Sequence, residues 1–227
     1  MGSAAHNAPC RAIDLGVVDY EAAFALQKAH VERLQRDEGD DVLIFLEHPH
    51  VITVGRNATG RAIVADRHSI EARGARVVAT DRGGDVTYHG PGQLVGYPIV
   101  RLEVGRRDIR RYVLDLEQVL IDTLADFGVE ASRHPVHRGV WVREKKIASL
   151  GIRISRWVTS HGFALNVSTD LSYFGLMNPC GIEGCTMTSL SLESTTPVAM
   201  AAVRERATTH FGRIFAREMH EETAGVH

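Results

Sequence analysis

Residues 82–94 read Arg-Gly-Gly-Asp-Val-Thr-Tyr-His-Gly-Pro-Gly-Gln-Leu, with glycines at 83, 84, 90 and 92. An apolar run lies on each side: residues 76–80 read as a strand leading in and residues 94–102 as a strand leading out. Glycine tolerates positive φ and lets backbone approach closely, so the stretch joins two strands through tight, backbone-dominated geometry. A solvent-exposed turn would account for the glycines. It would not account for Arg82, Thr87, His89 and Gln93, which crowd polar groups into the same short segment, so the stretch reads as backbone laid against a ligand. It is not a nucleotide loop: the GxxxxGK[ST] spacing is absent and no helical pattern opens after the glycines.

The patterns around it define the fold class. Residues 12–15 form a short strand. Asp19 caps a helix with Glu21 in its first turn and Ala23, Leu26, His30 and Leu34 on one face, and Gly39 ends it. Residues 41–46 are a continuous apolar strand, central in a sheet, and residues 51–54 form another. Residues 66–74 form a short helix. Asp108 caps a long one, with a wide stripe from Ile109 through Tyr112, Leu116 and Leu120 to Phe127, closed by Gly128. Three short strands follow at 140–143, 146–154 and 157–167, the first two joined by a hairpin turn at 143–145. Residues 170–177 are a short helix or loop and 178–181 a turn. Thr196 caps a last helix with Pro197 at its first position and Val203, Phe211, Ile214 and Phe215 inward. This order predicts a single α+β domain over residues 12–218, a mixed, largely antiparallel sheet packed against helices. Residues 1–11 are expected to be a disordered tail and 219–227 to fray.

With 227 residues and a net charge of −2, nothing global argues for nucleic acid or an anionic membrane. No apolar run is long enough to span a bilayer. Three cysteines are an odd number and no disulfide framework, which fits a reducing, cytoplasmic compartment. A monomer is the default expectation.

Glu47, His48 and His50 could be metal ligands, but two histidines flanking a proline are not a helical ligand pair and no further ligands stand at metal spacing. Arg56, at a strand end, can join the glycine segment. Cys180 is the natural nucleophile candidate, because it lies in a tight turn outside any periodic apolar run. Cys10 sits in a polar N-terminal stretch with no site around it, and Cys180 with Cys185 makes one CxxxxC pair, too little for zinc. Lys145 and Lys146 are adjacent at a strand start and point to opposite faces, so one can face inward. A lysine desolvated in a pocket exchanges protons near neutrality, so Lys146 is a candidate base for Cys180, although spacing alone favours a pair of surface lysines on a hairpin. His89 is a second possible base, and the residues alone do not rank the two.

Several segments resemble the octanoyltransferases of lipoate biosynthesis, also called lipoate-protein ligase B. They are Leu46-Glu47-His48-Pro49 with Gly55-Arg56; the Arg82 to Leu94 stretch through Tyr97-Pro98; Lys146-Ile147-Ala148-Ser149-Leu150-Gly151-Ile152-Arg153; His161-Gly162-Phe163-Ala164-Leu165-Asn166; Pro179-Cys180-Gly181-Ile182; and Thr188-Ser189-Leu190. They occur in the family's order over roughly residues 12–215. The resemblance implies a fold shared with biotin and lipoate ligases. It implies transfer of an octanoyl group from octanoyl-acyl carrier protein to a lysine of lipoyl domains, those of 2-oxoacid dehydrogenase E2 subunits and the glycine-cleavage H protein. Carried over by position, Cys180 would accept the acyl group and Lys146 would lower its pKa and shuttle protons. Lys146 or His89 would then deprotonate the acceptor amine. Arg82, Gly83, Gly84, Asp85, Val86, Thr87, Tyr88 and His89, with Ser149, Leu150 and Gly151 and with Gly162, Phe163 and Ala164, would line the acyl site. Backbone N–H groups near Gly181 or the glycine segment would hold the oxyanion. The donor thioester is already activated, so no ATP, cofactor or metal is expected. An ATP-dependent ligase of the same fold, a non-catalytic scaffold for carrier or lipoyl domains, and a Cys/His thioesterase are the rival readings.

Overall fold

The computed structural model describes residues 8–58, 62–178, 182 and 184–223. In chain order the strands are β1 (Ala8–Val17), β2 (Asp41–Glu47), β3 (Val51–Val54), β4 (Arg76–Ala79), β5 (Val86–His89), β6 (Gln93–Ile99), β7 (Ser132–Arg133), β8 (Val140–Val142), β9 (Lys145–Ser155), β10 (Val158–Asn166) and β11 (Arg217–Thr223). The helices are α1 (Tyr20–Gln35), α2 (Arg67–Ala72), α3 (Ile109–Ala125), α4 (Leu190–Glu193) and α5 (Met200–Phe215), with a 3₁₀ turn at Leu171–Leu176. The main sheet has the order β11-β1-β2-β6-β10-β9-β8-β7, and the small one β4-β3-β5. β1 pairs parallel with both β2 and β11, while the rest of the main sheet is antiparallel. The mixed, largely antiparallel α+β architecture expected from the pattern is therefore the observed one.

β2 is apolar and buried along almost its whole length because both its faces are covered. Leu43 and Phe45 point into a core closed by α3 and α5, where Leu116, Leu120, Val203 and Phe211 are fully buried. Val42, Ile44 and Leu46 point the other way, onto α1 through Ala23 and Leu34. The small sheet has its own core, in which Ile52, Val86 and Tyr88 meet Ile70 of α2 and Tyr173 and Phe174 of the 3₁₀ turn. Its opposite face, carrying Thr53, Thr87 and His89, looks toward the main sheet. Strand alternation thus divides β3 and β5 into a packed side and a side free for chemistry.

Asp19 and Asp108 cap α1 and α3 as the sequence reading places them, each accepting a backbone N–H from the first turn, and Asp66, expected inside its helix, caps α2 in the same way. Several boundaries differ. α1 ends at Gln35, before Gly39, because Asp37 takes the left-handed position at φ +60° and Glu38 N–H closes on the Arg33 carbonyl. α5 starts at Met200 instead of after Thr196: the Ser194 hydroxyl accepts the Thr196 N–H in a local turn, which leaves Thr196 uncommitted to a cap. Residues 8–11, expected in the disordered tail, belong to β1, and Cys10 is fully buried in the core, where burial pushes its thiol up to about 12. Residues 219–223, expected to fray, belong to β11, which pairs with β1 from Ala8↔Arg217 to Asp14↔Thr223. Arg217 anchors that strand through a buried ion pair with Asp41 at 2.8 Å and a donation to the Arg101 carbonyl at 3.0 Å.

Candidate active site

The glycine segment carries the chain from the small sheet to the large one. Gly83 N–H donates to the Ile152 carbonyl of β9 at 2.9 Å, and the N–H groups of Gly55, Arg56 and Asn57 donate to Asp85, Arg82 and Gly84. Arg56 therefore joins the segment through its backbone, while its side chain is exposed. A Cβ on Gly55 would stand 2.4 Å from the Gly84 carbonyl oxygen, so only glycine lets the two loops stack. At the far end Gly92 has φ +79°, donates to Glu47 Oε2 at 2.6 Å and accepts from Val167 and Ser168. The segment is thereby fixed at both ends against the main sheet.

Between this segment and the strands β9 and β10 lies a small cavity of about 40 Å³. Of the expected residues, Arg82, Gly84, Asp85, Thr87 and His89 line it from one side. Ser149, Leu150, Gly151, Gly162, Phe163 and Ala164 line it from the other. Gly83 lines an adjoining cavity that shares Gly84, Asp85, Leu150 and Gly151. Val86 and Tyr88 do not face the cavity. They alternate with Thr87 and His89 along β5 and point into the core of the small sheet, which corrects the expectation for both. Tyr20, Tyr97 and His161 line the cavity and were not expected there. Tyr97 was readable as the residue two beyond Val95 on one strand face; Tyr20 gave no signal beyond its place after a helix cap.

The polar groups of this cavity are held in defined states. Arg82 is buried and donates from Nη2 to the Thr53 carbonyl at 2.8 Å and to Thr53 Oγ1 at 2.9 Å. His48 stands 2.7 Å from the Val18 carbonyl through Nδ1 and 2.8 Å from the Tyr97 hydroxyl through Nε2. A carbonyl only accepts, so Nδ1 carries the proton and Tyr97 donates to Nε2. Burial lowers the His48 pKa to about 4. His161 approaches Asp81 at 2.7 Å, yet burial outweighs the carboxylate and lowers its pKa. His89 is pushed well below the usual histidine range, first by burial, with the Arg82 charge adding to it. Asp85 Oδ1 and Thr87 Oγ1 are buried with no hydrogen-bond partner among the described residues. His48 and His50 spend ring nitrogens on Val18, Tyr97 and Tyr88.

Lys145 and Lys146 separate as strand alternation requires: Lys145 is exposed and Lys146 is fully buried. Lys146 Nζ stands 5.5 Å from the Trp141 ring centroid. Gly139 makes room for it, since a Cβ there would lie 2.7 Å from Lys146 Cε and 3.2 Å from Nζ. The Lys146 backbone pairs with residues 186 and 188, accepting from Thr188 N–H at 2.9 Å and donating to the Thr186 carbonyl at 2.9 Å. Cys180, with Pro179 and Gly181, lies outside the described residues. Cys185 is partly buried, its Sγ 3.9 Å from Met187 Sδ. Among the described residues no helix is long and apolar enough to cross a membrane.

Residues 19–212 match the model of the lipoyl protein ligase A/B catalytic domain, and the chain belongs to that family. Among its relatives, a protein of Solibacter usitatus named octanoyltransferase is 50% identical over 92% of this chain and 94% of its own length. One of Syntrophotalea carbinolica with the same name is 48% identical over 87% and 90%. The bipartite lipoate protein ligase of Thermoplasma acidophilum superposes with a TM-score of 0.75 at 17% identity, over 95% of this chain and 87% of that one. Biotin protein ligase from Aquifex aeolicus superposes with a TM-score of 0.51 at 13% identity, over 91% and 69%. These two likenesses show the shared ligase fold.

Proposed function

We propose that this protein is an acyltransferase that moves an octanoyl group from octanoyl-acyl carrier protein to a lysine of lipoyl domains, the first step of protein lipoylation. The cytoplasm is its place of work and the monomer its working form. The acceptors are the E2 subunits of 2-oxoacid dehydrogenases and the glycine-cleavage H protein. Cys180 thiolate attacks the carrier thioester; the carbonyl–sulfur bond to the carrier breaks and an acyl-Cys180 thioester forms. Lys146 takes the proton of Cys180 and returns it to the departing carrier thiol. The acceptor amine then attacks, a C–N bond forms, the C–S bond to Cys180 breaks, and the proton lost from nitrogen returns to sulfur through Lys146. A thioester-to-thioester exchange is nearly balanced, and the amide product drives the second half forward.

The observation that carries this reading is Lys146. A lysine is almost never fully buried without a function, and the backbone of this one is held by residues 186 and 188, a few positions beyond Cys180 in sequence. The cavity beside it supplies a wall of Leu150, Phe163 and Ala164 for an alkyl chain.

The test is an intact-mass spectrum after mixing the protein with octanoyl carrier protein and no acceptor. An octanoyl adduct on the wild type, absent in Cys180→Ala and discharged by a lipoyl domain, is expected. Lys146→Ala should form the adduct about 10²-fold more slowly or worse. Transfer that persists in Cys180→Ala would overturn the covalent route. Pyrophosphate release from ATP with octanoate would point to an adenylating ligase.

A further inference from the structure

Glu117 is the buried carboxylate of α3. It stands in the helix's inward stripe with Val113, Leu116, Leu120 and Leu124. A glutamate in such a place needs partners, and both of its oxygens have one. Oε1 accepts the Gly139 N–H at 3.0 Å, and Oε2 pairs with Arg133 Nε at 3.2 Å. Arg133 donates in turn from Nη2 to the Leu114 carbonyl and to Gln118 Oε1, each at 2.8 Å. Residues 133 and 139 are the two ends of the connection between β7 and β8. One side chain of α3 therefore clamps both ends of that connection.

The clamped end lies against Lys146. Gly139 has φ +121°, and a Cβ there would come within 2.7 Å of Lys146 Cε and 3.2 Å of Nζ, so the backbone of residue 139 forms a wall of the lysine's slot. Trp141 forms another, its ring centroid 5.5 Å from Nζ. Between these two walls the pairing of β8 with β9 slips: Val140 stands opposite Ala148, but Trp141 stands opposite Lys146. Such an irregularity re-aims side chains and weakens the ladder locally, so regular strand pairing does not by itself hold Gly139 in place. Lysine carries its ammonium on a flexible four-carbon stem, and the walls around the stem decide where the charge rests.

We propose that Glu117 is a positioning residue for Lys146: by accepting the Gly139 N–H it holds residue 139 against the lysine stem and fixes where Nζ exchanges its proton. The inference rests on Lys146 being the acid/base of acyl transfer. Glu117 acts through this hydrogen bond and not through its charge, because Arg133 lies on its other oxygen and offsets that charge.

Single-turnover formation of the octanoyl adduct, followed by intact mass over a range of octanoyl-carrier concentrations, tests this on the full protein. Glu117→Leu keeps the apolar packing of α3 and removes the acceptor. It should lower the maximum rate about tenfold or more and leave the half-saturating donor concentration within about threefold, since a small displacement of a catalytic group is felt in the chemical step. Glu117→Gln keeps an oxygen for the Gly139 N–H, while the partly exposed Arg133 can turn to water; it should hold the maximum rate within about threefold of wild type. Lost stability alone lowers the amount of adduct, not the rate at which folded molecules form it. Glu117→Leu reacting at the wild-type maximum rate would overturn the proposal. Glu117→Gln reacting as slowly as Glu117→Leu would overturn it too, because the charge would then be what matters. In a Lys146→Ala background Glu117→Leu should slow the reaction no further; an undiminished loss there means that the effect does not pass through the lysine, and the proposal fails. Wild type that forms no adduct, or Lys146→Ala that forms it at the wild-type rate, removes the reading of the reaction and this inference with it. A slow Lys146→Ala beside a normal Glu117→Leu removes the inference alone. Should Glu117→Leu not fold, Glu117→Leu/Arg133→Leu strands no charge and carries the same expectations.

Discussion

Lowering the pH should destabilise this protein through His48, and the size of the effect follows from its surroundings. The ring is completely buried, donates to the Val18 carbonyl, accepts from Tyr97 and is held at a pKa of about 4 against an unfolded value near 6.5. Above pH 6.5 the ring is neutral in both states and contributes no pH dependence. Between 6.5 and 4 the unfolded chain takes up a proton that the folded one refuses, so stability falls as pH falls. The slope approaches 1.36 kcal/mol per unit, and the total reaches about 3 kcal/mol near pH 4, after which His48 has no more to lose. His89 and His161 are shifted in the same direction and add to the loss. Urea denaturation at half-unit steps from pH 7.5 to pH 4 measures it. His48→Asn, which keeps a donor for Val18 but does not titrate, should lower stability at pH 7 and flatten the slope below pH 6.5. Parallel slopes for variant and wild type would refute the argument that His48 is held neutral.

Two further outcomes concern single contacts. Gly139→Ala places a Cβ 2.5 Å from the Ala148 carbonyl oxygen and 2.7 Å from Lys146 Cε at a residue with φ +121°; thermal melts should register about 1–3 kcal/mol from each of crowding and backbone strain, and single-turnover kinetics a loss of tenfold or more as Lys146 moves. Arg217→Ala strands the Asp41 carboxylate, whose pKa burial already raises in spite of the guanidinium; urea midpoints should report about 3–5 kcal/mol, with only partial rescue by Arg217→Lys because lysine cannot also fork to the Arg101 carbonyl.

Much of this molecule could be read before its shape was known, for reasons that are local. Asp19 and Asp108 cap helices through contacts two or three residues away, and the alternation of Lys145 and Lys146 needs nothing beyond the pleat of one strand. What escaped depended on contacts far apart in the chain. β11 exists because β1 offers an edge some two hundred residues earlier, and no periodicity in residues 217–223 announces that. Val86 and Tyr88 belong to a quoted motif, but a motif does not say which residues of a strand face the ligand; only the packing of Ile52, Tyr173 and Phe174 against one side of β5 does. Tyr20 and His161 reach the cavity from α1 and β10, brought there by the way the helix lies across the sheet. His89 was visible as a candidate base. Its hydrogen bond to Gln93, and the contact of Gln93 with Asn166 across paired strands, were not visible.

The parallel pairing of β1 with β11 also constrains how the chain reaches its folded state. During synthesis β1 can settle against β2 early, since α1 alone lies between them. Its outer edge then stays open until residue 223 has been made. For that whole interval a ten-residue strand with a buried cysteine presents unpaired N–H and C=O groups to whatever strand comes near, including the same strand of another nascent chain. The last strand therefore works as a latch against self-association as much as a part of the sheet, and the Arg217–Asp41 pair at its start is what sets the latch in register.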